Sequence, residues 1–186
     1  MFPKAHACAY VMMAFRIAYC KVYYPLAYYA AYFSIRAKAF SYETMCLGKK
    51  KLNDCLKTLK SRAASNDPAK KLSQKEEDEL YVMRICQEMY ARNLEFMPID
   101  IYRAKATKFQ IIDGKLMPSL TSIDGLGETA AKGIEEGSKG GQFLSKEDMM
   151  LRCHIGQSII DLLDSLNLLE GLSDTNQLSF MDLLGS

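Results

Sequence analysis

The chain has 186 residues, of which 49% are apolar and 25% charged, with a formal net charge of +2. That balance suits one globular domain or two small ones with a real core, and no run of about eighteen uncharged apolar residues is present to span a membrane. The small total conceals an asymmetry: residues 1–62 carry 11 Lys and Arg against 2 Asp and Glu, while residues 63–186 carry 13 against 20, which points to a polyanionic neighbour or plain solvation for the basic part.

Ala5 to Tyr24 reads as a helix stopped by Pro25, and a second helix is expected from Pro25, suited to a first turn, to about Lys38. Both are apolar on nearly every face, the pattern of helices buried in something larger or packed against a partner. Tyr19, Tyr23, Tyr24, Tyr28, Tyr29 and Tyr32 supply amphipathic rings for such packing. Ser41, with Thr44 in the first turn, is expected to cap one helix carrying Leu47, Leu52, Leu56 and Leu59 on one side. Lys49, Lys50, Lys51, Lys57 and Lys60 decorate that helix. After a break at Ser65-Asn66-Asp67-Pro68, Ser73 and Glu76 form a capping-box pattern for a helix reaching about Arg92. Residues 106–116 predict a short β-hairpin turning at Asp113-Gly114.

The next stretch, Ile123-Asp124-Gly125-Leu126-Gly127-Glu128-Thr129-Ala130-Ala131-Lys132-Gly133-Ile134, predicts a tight turn opening into a helix at Gly127 or Glu128. The glycines let the backbone curl and another molecule approach, and the helix start offers unpaired N–H groups and the positive end of its dipole. A phosphate oxygen fits that arrangement. Ala130 and Ala131 are expected to let this helix pack closely on the one before it. The pattern resembles the helix-hairpin-helix motif, with Gly125, Leu126, Gly127, Thr129 and Lys132 as the backbone-binding residues. A plain glycine-containing helix turn is the bland alternative.

Ser145 is expected to cap a further short helix, and Ile155-Gly156-Gln157-Ser158 repeats the turn-into-helix pattern with one glycine fewer. Gly156 is therefore read as the phosphate-side residue of a degenerate second copy, weaker in binding and more given to packing. His154 is read as structural or exposed. The six cysteines show no Cys-x-x-Cys spacing and no nearby His pair, which argues against a zinc site. With no signal peptide visible, the cytoplasm is the expected compartment. The terminal run Gln177-Leu178-Ser179-Phe180-Met181-Asp182-Leu183-Leu184 is an apolar cluster on a polar spacer, either a docking peptide or a segment folded back on the last helix.

Phe2-Pro3-Lys4-Ala5-His6-Ala7-Cys8-Ala9-Tyr10, with Arg16-Ile17-Ala18-Tyr19, Lys21 and Tyr24-Pro25-Leu26, closely resembles a segment of bacterial replicative DNA polymerase III alpha subunits, the PolC type best of all. The likeness continues through Tyr28-Tyr29-Ala30, the Ile123–Ile134 stretch, Phe143-Leu144-Ser145-Lys146-Glu147-Asp148 and Gln177-Leu178-Ser179. It implies a mainly α fold: helical fingers over residues 1–105, a duplex-binding region with tandem helix-hairpin-helix elements and a β-hairpin over 106–172, and a flexible tail over 173–186. It implies that Lys4 and His6 face the nascent pair or incoming dNTP, where a lysine neutralises phosphate and an imidazole hydrogen-bonds it. A satisfied, partly buried histidine is the alternative for His6. It implies that Gln177, Leu178, Phe180 and Met181 dock on the sliding clamp, although Phe180-Met181 departs from the Leu and Phe usual in such peptides. It also implies that the Mg2+-holding carboxylates belong to an upstream palm, so this chain has no catalytic or metal-binding residue of its own and looks like an inactive C-terminal fragment of a nucleotidyltransferase. The expected partners are duplex DNA, dNTP, the clamp and the rest of the polymerase, with no membrane. Two other classes fit parts of the chain: a free-standing DNA-binding module, and a helical interaction protein whose apolar start pairs with another subunit.

Overall fold

The structure, a computed structural model, describes residues 3–37, 39–65 and 71–175. The expected mainly helical fold is what the chain adopts. Pro25 ends α1 (Lys4–Tyr23) and opens α2 (Pro25–Ile35). α1 buries none of its residues. α1 lies along α2, and Lys21 ties it further to the body, with its Nζ 2.7 Å from Glu88 Oε2 and 5.2 Å from the centre of the Tyr28 ring.

The single helix expected after Ser41 is two. Ser41 caps the short α3 (Tyr42–Met45), and the chain then turns at Gly48, with φ of +109°, into α4 (Lys49–Ala63). That backbone conformation is open to glycine and strained for any other residue. The turn brings Met45 and Leu52 into one core and leaves Leu47 48% exposed, so Leu47 does not share the buried side of Leu52 and Leu56. The capping box forms as its spacing predicts: Ser73 Oγ accepts the Glu76 N–H, and Glu76 accepts the Ser73 N–H at 2.8 Å, opening α5 (Gln74–Ala91).

β1 (Gln110–Ile112) and β2 (Lys115–Met117) pair antiparallel around Asp113 and Gly114, both at positive φ, as a two-residue primed turn requires. Strand alternation then gives β2 a structural task. Leu116 points into a core built by α2, α4 and α5 with Phe96 and Phe109, while Met117 points into a second core. That second core joins Ile99, Ile101 and Ala104 to α6 (Glu128–Ser138), α7 (Lys146–Cys153) and α8 (Gln157–Ser165). Tyr42 of α3 enters the second core and Met45 the first, so α3 and β2 form a shared wall.

α6 and α7 meet through glycine. A Cβ at Gly133 would collide with the Cys153 carbonyl, and one at Gly137 would lie 2.5 Å from Cys153 Sγ. The expected close packing of α6 on a preceding helix through Ala130 and Ala131 takes another form. What precedes it is a single 3-10 turn, Leu120–Ser122, and the tightest approach falls to the Gly133-x-x-x-Gly137 face on the following helix. Among the described residues, no helix is long and apolar enough to cross a membrane. Gly133→Ala should therefore lower stability by about 1–3 kcal/mol through overpacking against backbone. Thermal or urea unfolding measures it, and a midpoint equal to the parent's would show that α6 and α7 are not in such close contact.

Candidate nucleic-acid interface

Two turns in the second core have the same construction. In the first, Gly125 takes a left-handed φ of +88°, Leu126 is buried at 5% exposure, and Gly127 stands as the N-cap of α6. In the second, His154 takes a left-handed φ of +53°, Ile155 is buried at 8% exposure, and Gly156 stands as the N-cap of α8. The buried aliphatic residue anchors each turn, while the glycine and the first helical residues after it, Glu128 and Thr129 or Gln157 and Ser158, are exposed. The first turn lies against α8, since a Cβ on Gly125 would meet Leu162 Cδ2 at 3.6 Å.

Capping separates these two helix starts from those of α3, α5 and α7, though α1, α2 and α4 also lack a side-chain cap. Ser41, Ser73 and Ser145 each accept a first-turn N–H of α3, α5 and α7. α6 and α8 receive no side-chain cap. The Gly127 carbonyl accepts the Ala131 N–H at 3.0 Å, and the Gly156 carbonyl accepts the Ile159 N–H at 3.0 Å, so the helical ladder begins at those glycines. The N–H groups before it point outward at the positive end of the helix dipole. A Cβ at Gly127 or Gly156 would meet nothing within 4 Å, so the space in front of both is open. This is the geometry that accepts an anion.

Side-chain charge around the turns is already committed. Lys132 forms an ion pair with Glu128 at 2.7 Å, and that lysine holds the Glu128 carboxyl below its usual range. Lys115, Lys139, Lys146 and Arg152 likewise pair with Glu95, Glu136, Asp164 and Asp148. Arg152 also donates to the carbonyls of Gly137, Gly141 and Gln142 and stacks on Phe143, tying the end of α6 to α7. A cleft of about 690 Å3 runs beside the first turn, lined by Asp124, Gly125 and Gly127 with Thr44, Lys75 and Glu79. Burial, and then the charge of Asp124, push the Glu79 carboxyl above its usual range. The exposed Lys75 is the cation of this cleft. Sequence reasoning missed it because it sits on α5, far from the glycine motif in the chain. In the second turn a histidine occupies the left-handed position that Gly125 fills in the first.

The remaining candidate residues lie apart from the turns. Lys4 and His6 are exposed on α1, and His6 packs edge-on against Tyr10 with ring centres 4.5 Å apart. Two residues apart on a helix, they do not share a face. Gln177, Leu178, Phe180 and Met181 fall outside the described residues. Among the described residues, no group of three or more His, Cys, Asp or Glu is placed to hold a metal ion, so the donors that a two-metal site needs are not found together there.

A family profile described as a helix-hairpin-helix motif matches residues 93–177, the span that holds both turns. Over 96% of its length the chain is 44% identical to the DNA polymerase III PolC-type of Clostridium perfringens, and 45% identical to that of Listeria monocytogenes. The Staphylococcus haemolyticus protein of the same name is 44% identical over 98% of the chain. In each case the chain spans 12% of the relative's length.

Proposed function

With similarity to part of PolC-type DNA polymerase III along nearly all of this chain as the premise, we propose that the chain serves as the duplex-gripping and nucleotide-side portion of a DNA-directed DNA polymerase. The observation that carries the reading is the pair of open, glycine-capped helix starts within the helix-hairpin-helix span. Each offers backbone N–H groups to a phosphate, and neither offers a side chain that reads a base edge, so binding is to the backbone and independent of sequence. Thr129 and Ser158, both exposed in the first helical turn, can add hydroxyl donors to the same phosphates. Lys132 joins only by leaving Glu128, a mainly exposed pair that costs little to open.

In this reading the phosphoryl-transfer chemistry and its Mg2+ belong to the larger protein, and this portion holds the product duplex. The fingers role falls to residues 1–105, the duplex-binding role to 106–172 and the clamp-docking role to the tail. The apolar α1, with none of its residues buried, supports packing against the rest of such a polymerase over a free-standing DNA-binding module. Lys4 and His6, on different faces of α1, act as two separate contacts on the nucleotide side. Gln177, Leu178, Phe180 and Met181 act as a clamp-docking peptide whose modest solo affinity is raised by tethering. The cytoplasm is the compartment this work requires.

Gly127→Val and Gly156→Val, each filling open space, should weaken binding of duplex DNA by about tenfold or more, or roughly 1.4 kcal/mol. Fluorescence anisotropy with duplexes of different sequence measures this, with circular dichroism to verify folding. Folded variants that bind as tightly as the parent would sink the hairpin reading. In a full-length polymerase carrying this segment, Lys4→Ala and His6→Ala should raise the KM for nucleotide, and Gln177→Ala with Phe180→Ala should shorten clamp-dependent extension. Duplex affinity should stay near the parent's in all of them. Unchanged nucleotide kinetics or unchanged extension would remove the corresponding role.

A further inference from the structure

We infer that the outward face of α4 is a second nucleic-acid contact, which takes up phosphodiester backbone running on from the hairpin turns. The identity of the polyanion rests on the hairpin reading above; the surface itself does not. Lys49, Lys50, Lys51, Lys57 and Lys60 are all exposed on this helix. Among the described residues only Lys57 has a carboxylate in reach, Asp54 at 4.0 Å. The contrast with the hairpin region is sharp: there, each Lys and Arg from residue 115 to residue 152 is ion-paired. The long-range attraction that brings a protein to DNA needs uncommitted cations. Among the described residues this chain carries four of them on α4, Lys49, Lys50, Lys51 and Lys60, and none on the two hairpin helices.

Local stability does not account for the row. Lys49, Lys50 and Lys51 fill the first turn of α4, which contains no acidic residue. Cations at that end oppose the helix dipole, so the fold gains nothing from them and loses a little. α5 links the end of α4 to the cleft beside the first turn. Arg62, in its last turn, pairs at 2.5 Å with Glu76 of α5, whose neighbour Lys75 lines the cleft beside Gly125 and Gly127. Lys60, Lys57 and Lys50, at three- and seven-residue spacing, run back along one face of the helix for about 15 Å at the α-helical rise, with Lys49 and Lys51 flanking them. With one phosphate charge per about 1.7 Å of duplex axis, that length faces several phosphates.

The test uses the 186-residue chain, a short fluorescent duplex, and a single strand of the same sequence, each titrated over a range of salt concentrations. Lys50→Ala/Lys57→Ala/Lys60→Ala should weaken binding about tenfold or more at low salt and flatten the log–log salt slope by about two to three. The melting temperature should not fall, because these side chains support no packing. Lysine-to-arginine replacements at the same positions should restore the slope. Loss on both probes assigns the face to any phosphodiester backbone, and loss on one alone assigns it to that form. Parent-like affinity and slope on both probes would overturn the inference. Gly127→Val, run in parallel, separates the two claims. If it alone loses binding, the hairpin reading stands and the α4 contact falls; if the α4 variant alone loses binding, the reverse holds. A parent chain that binds neither probe at low salt would overturn both.

Discussion

The contact between Gly133 and the Cys153 carbonyl governs the geometry on which everything else depends. α6 begins at the first turn, and α7 ends where the second begins, one residue before His154. Bringing those helices together at backbone distance fixes one turn relative to the other. Gly137 extends the same face, and Arg152 locks its far end by donating to three carbonyls of the 137–142 loop. Buried Ala131, Ile134, Met149 and Leu163 fill the space around that contact. A side chain at Gly133 would push the helices apart and separate the two open helix starts.

Charge is distributed in a way that follows from this packing. The hairpin helices spend their lysines on neighbouring carboxylates, which leaves the backbone N–H groups as the attractive feature at each turn. Glu79 and Asp124 beside the first turn even work against an anion, and the raised Glu79 carboxyl reflects that crowding after burial. Among the described residues, exposed lysines without an ion-pair partner lie on α4, and Lys75 faces the cleft together with Glu79. In the proposed reading, a polyanion is drawn in by one surface and held in register by another. The division suits binding that must be firm along a backbone yet indifferent to sequence.

Much of the fold was legible because its signals are local. The Ser73–Glu76 capping box, the Pro25 boundary, the Asp113-Gly114 turn and the Gly127 helix start each depend on a few adjacent residues. The misjudged features depend on distant ones. Gly48 falls inside the single helix expected after Ser41, and its positive φ becomes necessary only because Met45 and Leu52 must enter the same core. The Gly133-x-x-x-Gly137 face passed unnoticed since nothing nearby in sequence says that Cys153 will lie against it. The second turn departs from the two-glycine pattern because His154 fills the left-handed position where glycine is expected, at some conformational cost, and its backbone course is not legible from that departure. The Lys75 contribution to the cleft could not be read at all, being about fifty residues from the turn it serves.

The most direct measurement is a nuclear magnetic resonance titration of the labelled chain with short duplex DNA, following backbone amides. The account predicts that the N–H signals of Glu128–Ala130 and of Gln157 and Ser158 shift together, with one common midpoint, and return together as salt is raised. Duplex binding that leaves both sets unmoved, or that moves one set without the other, would contradict the claim that the two glycine-capped helix starts form a single backbone-gripping unit.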